Sequence, residues 1–253
     1  MFKKLVPLNK ERHQQHKVLP ISSFDFASNF HIATVMVHEF AKAATAYPIV
    51  FLEDKEKDLF YPVVMLGLEA NQNLFVTESG QWNASYVPAV IRRYPFALAR
   101  LSEDDTLTVC IDEDSSLVGK EEGSPLFDEK GEATDIIENV KRYLSELQQM
   151  EVFTEAFCAY LAEHNLFTPL NMQVKVNDKL QNITGCYVIN EQRFNGLSDE
   201  RFIEIRHKNY LAPIYAHLTS LARTQNLAML KEGVDGLSVS DSIEDSQEDS
   251  AVH

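Results

Sequence analysis

TDIIENVKRYLSELQQMEVFTEAFCAYLAEHN, residues 134–165, decides the fold class. Ile137, Val140, Leu144, Leu147, Met150, Phe157, Tyr160, Leu161 and His164 recur at steps near three and four. That spacing predicts one long helix with a single apolar face. Thr134 stands at the N-cap position, and Asp135 and Glu138 favour the positive end of the helix dipole. At 1.5 Å per residue the helix would run about 45 Å. A helix of that length either crosses a domain or projects to meet a partner.

Strands are expected before it. Glu39 to Tyr47 reads as a helix stopped by Pro48, followed by strand candidates Ile49 to Leu52, Phe60 to Leu68 and Leu74 to Val76. Tyr86 to Tyr94 reads as a short helix with Pro88 in its first turn and Pro95 at its end. Phe96 to Leu101 and Leu107 to Ile111 form a hairpin pattern around Glu103-Asp104-Asp105, and Asp112 to Gly131 reads as a long ordered loop. After the long helix, Met172 to Val176 alternates, turns at Asn177-Asp178 and returns through Ile183 to Ile189. A helix starts at Ser198, and Pro213 predicts a break near residue 209. Strands gathered early and helices late make the expected class α+β, antiparallel in the N-terminal half, not alternating βαβ.

The chain has 253 residues with a net charge of −15. Such a chain repels phosphate backbones, so no nucleic-acid partner is expected. Residues 232–253 hold seven acids and no Lys or Arg, and the segment 231–253 is expected to form a disordered acidic tail outside a single domain at 5–230. There is no apolar leader at the N-terminus, and no apolar run approaches the ~20 residues needed to span a bilayer. Cys110, Cys158 and Cys186 follow no disulfide or CxxC spacing. These features make a cytoplasmic location the expectation.

No GxSxG, P-loop or GxGxxG occurs, so no cofactor is expected and the reading leans away from an enzyme. Three groups of residues could carry chemistry. Arg92, Arg93 and Arg100 fall within nine residues, with Trp82 and Tyr86 just upstream. Guanidinium forks bind carboxylate or phosphate, and the aromatics could wall a pocket. Either a ligand site or an internal arginine–carboxylate network fits. Asp112 and Asp114 open an acidic run that suits Ca²⁺ or Mg²⁺, but Leu117 and Gly123 stand where an EF-hand needs Gly and Glu. His13 and His16, with His31, His38 and Glu39, are weak metal candidates. Ala41-Lys42 stands where a zincin would place its second histidine.

Several blocks occur in a distinctive order. They are Val6-Pro7-Leu8-Asn9-Lys10-Glu11-Arg12-His13, Glu39-Phe40, Tyr47-Pro48-Ile49-Val50-Phe51, Leu66-Gly67-Leu68 and Asn73-Leu74-Phe75-Val76. Trp82, Tyr86-Val87-Pro88-Ala89, Arg92-Arg93-Tyr94-Pro95-Phe96, Cys110-Ile111-Asp112-Glu113-Asp114-Ser115, Pro125-Leu126-Phe127-Asp128 and Tyr215-Ala216-His217-Leu218 continue it. Together they resemble the SapC-like family of bacterial proteins over about residues 5–230. The resemblance implies an association with surface-layer protein export, and a setting near outer-membrane receptors, halogenase-like flavoproteins and cupin-like oxygenases. It carries over no catalytic residue.

Three functions remain open on this basis. The first is an accessory protein that binds a peptide or small anion in a surface-layer, transport or nutrient-uptake setting. The second is a metal-assisted enzyme acting with oxygenase- or halogenase-like partners. The third is a structural subunit that meets a protein partner through the long helix.

Overall fold

The computed structural model describes residues 1–100, 107–177 and 179–233. The expected hairpin turn at Glu103-Asp104-Asp105, Asp178 of the later turn, and the acidic tail from 234 onward lie outside the described residues.

The central sheet has five strands, in the order Phe167–Pro169, Tyr187–Ile189, Ile49–Asp54, Leu59–Met65 and Ile32–Thr34. Every pairing in it is antiparallel. Its middle hairpin runs in register from Ile49 opposite Val64 to Asp54 opposite Leu59. Asp54 closes the turn by accepting from the backbone N–H groups of Glu56 and Lys57, a side-chain substitute for a backbone turn bond. A second sheet carries Leu107–Asp112 between Leu5–Pro7 and Phe96–Arg100. The class is α+β, with the antiparallel strands concentrated before the long helix and the shorter helices after it.

The long helix spans Asp135–Glu163 and connects two apolar cores. Its first half sends Ile137, Leu144 and Leu147 into a cluster with Phe96, Ile111 and Leu126. Its second half sends Phe157, Cys158 and Leu161 into the larger core around Phe40, Phe51 and Val64. The helix therefore runs across both cores, and its periodicity reflects burial along its whole length. Thr134 has extended backbone but does not cap the helix with its side chain. Its hydroxyl instead donates to the carbonyls of Pro125 and Leu126, which straps the preceding loop to the helix start.

Elsewhere the elements are shorter than the pattern predicts, because side chains compete for backbone groups. The helix expected from Glu39 is a 3₁₀ turn, Val37–Glu39, followed by Phe40–Ala43. The one expected from Tyr86 is only Ala89–Arg92, with Pro88 at its N-cap. Leu74 to Val76 is not a strand. Asn73 Oδ1 accepts from Phe75 N at 3.0 Å, and Val76 makes only an isolated bridge to Trp82. The expected return from Ile183 to Ile189 is broken at Gly185, whose φ is +82°. Lys179–Ile183 pairs with Met172–Val176, while Tyr187–Ile189 joins the central sheet. The expected acidic loop contributes Val118–Gly119 and Ser124–Pro125, which flank Lys17–Val18 in a small three-stranded patch. A Cβ at Gly123 would lie 2.6 Å from the Val18 carbonyl oxygen, so only glycine fits that approach.

The break near residue 209 occurs where it is expected. Asn209 has φ +62° between Asp199–His207 and Leu211–Ser220, and Pro213 falls in the first turn of the latter, where a missing N–H is harmless. All three cysteines are buried and free. Burial pushes their thiols up, that of Cys158 to about 12, so they are inert side chains of the core.

Candidate functional site

Successive residues on a helical turn diverge by about 100°, so Arg92 and Arg93 serve different surroundings. Arg92 turns toward Tyr86 and Tyr143, with its guanidinium carbon 5.4 Å and 5.8 Å from their ring centres. Its Nε donates to the Val87 carbonyl at 3.0 Å and its Nη2 to the Tyr86 hydroxyl at 3.2 Å. Arg93 lies against Phe2, 5.9 Å from that ring centre. Its Nε is buried and has no hydrogen-bond partner. Among the described residues no carboxylate lies within ion-pair distance of either guanidinium. Burial pulls the Arg93 pKa down, and the charges of Glu151 and Tyr143 only partly oppose it.

Both arginines line a cleft of about 610 Å³ between the long helix, the segment Val18 to Phe24, and the run from Val87 to Phe96. Tyr94 and Tyr143 line it too, with apolar side chains making up most of the remaining wall. Tyr94 stacks on Phe26 with ring centres 4.2 Å apart, and its hydroxyl reaches Asp112 Oδ2 at 3.3 Å. Arg100 is not brought here. It ends the strand Phe96–Arg100, exposed and in register with Leu107, and it makes interactions of its own.

Tyr86 and Trp82 belong to a buried network behind Arg92. Glu39, only 5% exposed, accepts from Met36 N at 2.8 Å on one oxygen. On the other it accepts from the Tyr86 hydroxyl at 2.7 Å and Ala89 N at 2.8 Å. Burial, then Glu39, raises the Tyr86 pKa, so the phenol stays protonated and donates. Trp82 Nε1 donates to the Tyr47 hydroxyl at 2.8 Å and the Tyr86 carbonyl at 3.1 Å. The Tyr47 hydroxyl in turn donates to the Tyr86 carbonyl. The indole packs edge-on against Phe24. Glu39, Tyr86, Arg92 and Tyr143 also border a small cavity of about 170 Å³, lined in addition by His38, Lys42 and Glu146. Arg92 and Tyr143 are thus the partition between cavity and cleft.

The weak metal candidates occupy separate places. His31 precedes the strand Ile32–Thr34, and His38 lies in the 3₁₀ turn with its ring against Phe153. Asp114 is exposed. Asp112 is fully buried and accepts from Lys3 N at 3.0 Å and Lys4 N at 2.8 Å, anchoring the start of the chain. Among the described residues no group of three or more His, Cys, Asp or Glu side chains is placed to hold a metal ion. His13 is buried, with Nε2 3.2 Å from Glu113 but not aligned for a hydrogen bond. Glu113 also meets Arg12 and Lys4. Partial burial opposes ionisation of Glu113, but bonds from Arg12 and Lys4 outweigh it and hold its carboxyl below the usual range. Asp112→Ala is expected to cost about 2–3 kcal/mol in urea unfolding, because a fully buried carboxylate that accepts from Lys3 N, Lys4 N and the Tyr94 hydroxyl is lost. A loss below about 0.5 kcal/mol would show that the chain start is not held there.

Sequence reasoning did not reach Tyr94, Tyr143 or the apolar wall. Tyr143 sits one residue off the helix stripe at Leu144, and Leu19-Pro20-Ile21 carries no pattern. Only the fold brings these three stretches around Arg93.

Among the described residues no helix is long and apolar enough to cross a membrane. A family model described as SapC matches residues 8–227, most of the chain. No curated protein and no solved structure matches it.

Proposed function

We propose that this chain, which belongs to the SapC family, is an accessory binding protein that takes an anionic ligand at Arg93. One observation carries the reading. A guanidinium with a buried, unpartnered Nε lines a cleft of small-molecule size in a protein of net charge −15, and among the described residues no carboxylate lies within ion-pair distance of it. A partly buried cation with no ion-pair partner is costly, and such groups recur at ligand sites. Arg92 and Tyr143 form the polar end of the same cleft, and Tyr86 with Glu39 braces Arg92 from behind. Glu39 already receives three donors, so the geometry favours binding over acid–base chemistry at that carboxyl. In the cell this reading corresponds to a cytoplasmic partner in an export, transport or uptake setting.

Arg93→Met separates binding from stability. The methionine keeps the apolar stem and removes the unpaired charge. The variant is expected to be more stable by about 1–2 kcal/mol, a rise of roughly 2–6 °C in Tm. Calorimetric titration with carboxylates should show binding to the parent and none to the variant. A variant that is less stable and binds as well as the parent refutes the proposal.

A further inference from the structure

We infer that the occupant of the Arg93 cleft is a monocarboxylate with an extended apolar body, of the medium-chain fatty acid type. This deepens the binding reading above and rests on it. The first argument is charge. Arg93 is the guanidinium whose buried Nε has no hydrogen-bond partner, whereas Arg92 has given donors to Val87 and Tyr86. The Tyr143 hydroxyl is directed to the Ala89 carbonyl at 3.4 Å, and the Tyr94 hydroxyl to Asp112. No lysine lines the cleft. One planar fork matches one carboxylate, while a phosphate dianion needs more donors than remain. The net charge of −15 further penalises each additional negative charge on a ligand.

The second argument concerns the body of the ligand. Leu19, Ile21, Phe24, Ile136, Val140 and Leu144 present aliphatic and aromatic surface. A peptide would need backbone partners along this wall, and much of the wall's backbone is already paired. Val18 is the middle strand of its patch, in register with Val118 on one edge and Ser124 on the other. Leu19 N donates to the Leu117 carbonyl, and Ile136 to Leu144 lie within the long helix. Val18 itself, paired on both sides, offers no strand edge for β-augmentation. A chain with no hydrogen-bonding groups between its ends loses nothing in such a cleft, whereas each unpaired peptide group would cost affinity. The volume of about 610 Å³ lies within the ~300–1,000 Å³ of small-molecule sites.

The test is calorimetric titration of the full chain with butanoate, hexanoate, octanoate and decanoate. Decanol, inorganic phosphate and a hexapeptide with an apolar C-terminal half serve as comparisons. Affinity is expected to rise about two- to fourfold per methylene until the cleft is filled, and decanol should bind about tenfold more weakly than decanoate or worse. Arg93→Gln should remove the preference for acid over alcohol. Val140→Phe narrows the wall. It should move the best chain length downward, weakening decanoate more than butanoate. Equal affinity across the chain lengths overturns this inference, and so does phosphate or the hexapeptide binding as tightly as decanoate. In both cases the anion-binding reading survives. If none of these anions binds, the proposed function itself fails.

Discussion

Glu39→Ala is expected to lower the unfolding free energy by about 3–5 kcal/mol, measured by urea denaturation near neutral pH. Three donors lose their acceptor at once: Met36 N, Ala89 N and the Tyr86 hydroxyl. Each orphaned buried donor costs about 1–3 kcal/mol, and acceptance by a carboxylate puts these bonds toward the strong end. The site is 5% exposed, so water cannot easily replace the missing oxygens. Glu39→Gln is the informative partner. Its amide oxygen can keep Tyr86 and Ala89, but its NH₂ group then faces the Met36 N–H, so about 1–3 kcal/mol of loss is expected. Function should follow stability here through Arg92, whose Nη2 rests on the same Tyr86 hydroxyl. Ligand affinity should fall in Glu39→Ala even at temperatures where the variant is fully folded. A stability change under 1 kcal/mol in Glu39→Ala would mean that the carboxylate is not the knot of this region, and the bracing of Arg92 would need another source.

Acid is expected to unfold the protein through His217. This residue is fully buried on the helix Leu211–Ser220, and its Nε2 accepts from Ile189 N at 3.1 Å in the central sheet. Its ring packs 5.0 Å from that of Phe51. Acceptance at Nε2 requires the neutral ring, and burial pulls the pKa from 6.5 to about 3. In the unfolded chain the imidazole takes its proton near 6.5, while in the folded chain it resists until about 3. The associated stability is therefore complete above about pH 6.5 and is lost as pH falls toward 3. The loss is about 1.4 kcal/mol per pH unit over most of that window. His16, held low by burial first and then by the charges of His13 and Lys120, adds in the same direction. His217→Gln can still present an oxygen to Ile189 N but does not titrate. It should be less stable than the parent at pH 8 and should lose stability more slowly on acidification. Urea midpoints from pH 8 to 4.5 measure both slopes. Parallel slopes would place the acid sensitivity elsewhere.

The long helix was legible because its signal is dense and short-ranged. Apolar side chains at Ile137, Leu144, Leu147, Phe157 and Leu161 return at the helical period, and all are buried. The interruption at Asn209 was equally plain, since Pro213 forbids helix across it. Weaker elements were misjudged where a nearby side chain took a backbone group. Glu39 holds Met36 N, Arg92 holds the Val87 carbonyl, and Asn73 holds Phe75 N. None of these captures shows in a propensity pattern. The site was legible in part for the same reason. Arg92, Arg93, Trp82 and Tyr86 are close in sequence and close in space, yet the indole is bonded inward and Arg100 is carried off along its strand.

The residues alone were enough to establish the α+β class, the long helix, the family likeness and an unusual cluster of arginines in an acidic chain. These depend on periodicity, steric limits and charge totals, which are properties of neighbours along the chain. Which arginine would keep a buried Nε without a partner was decided only when remote segments packed. Electrostatic and solvation energies depend on distance through space, so the loneliness of Arg93 follows from what the long helix and the Val18 to Phe24 segment set beside it.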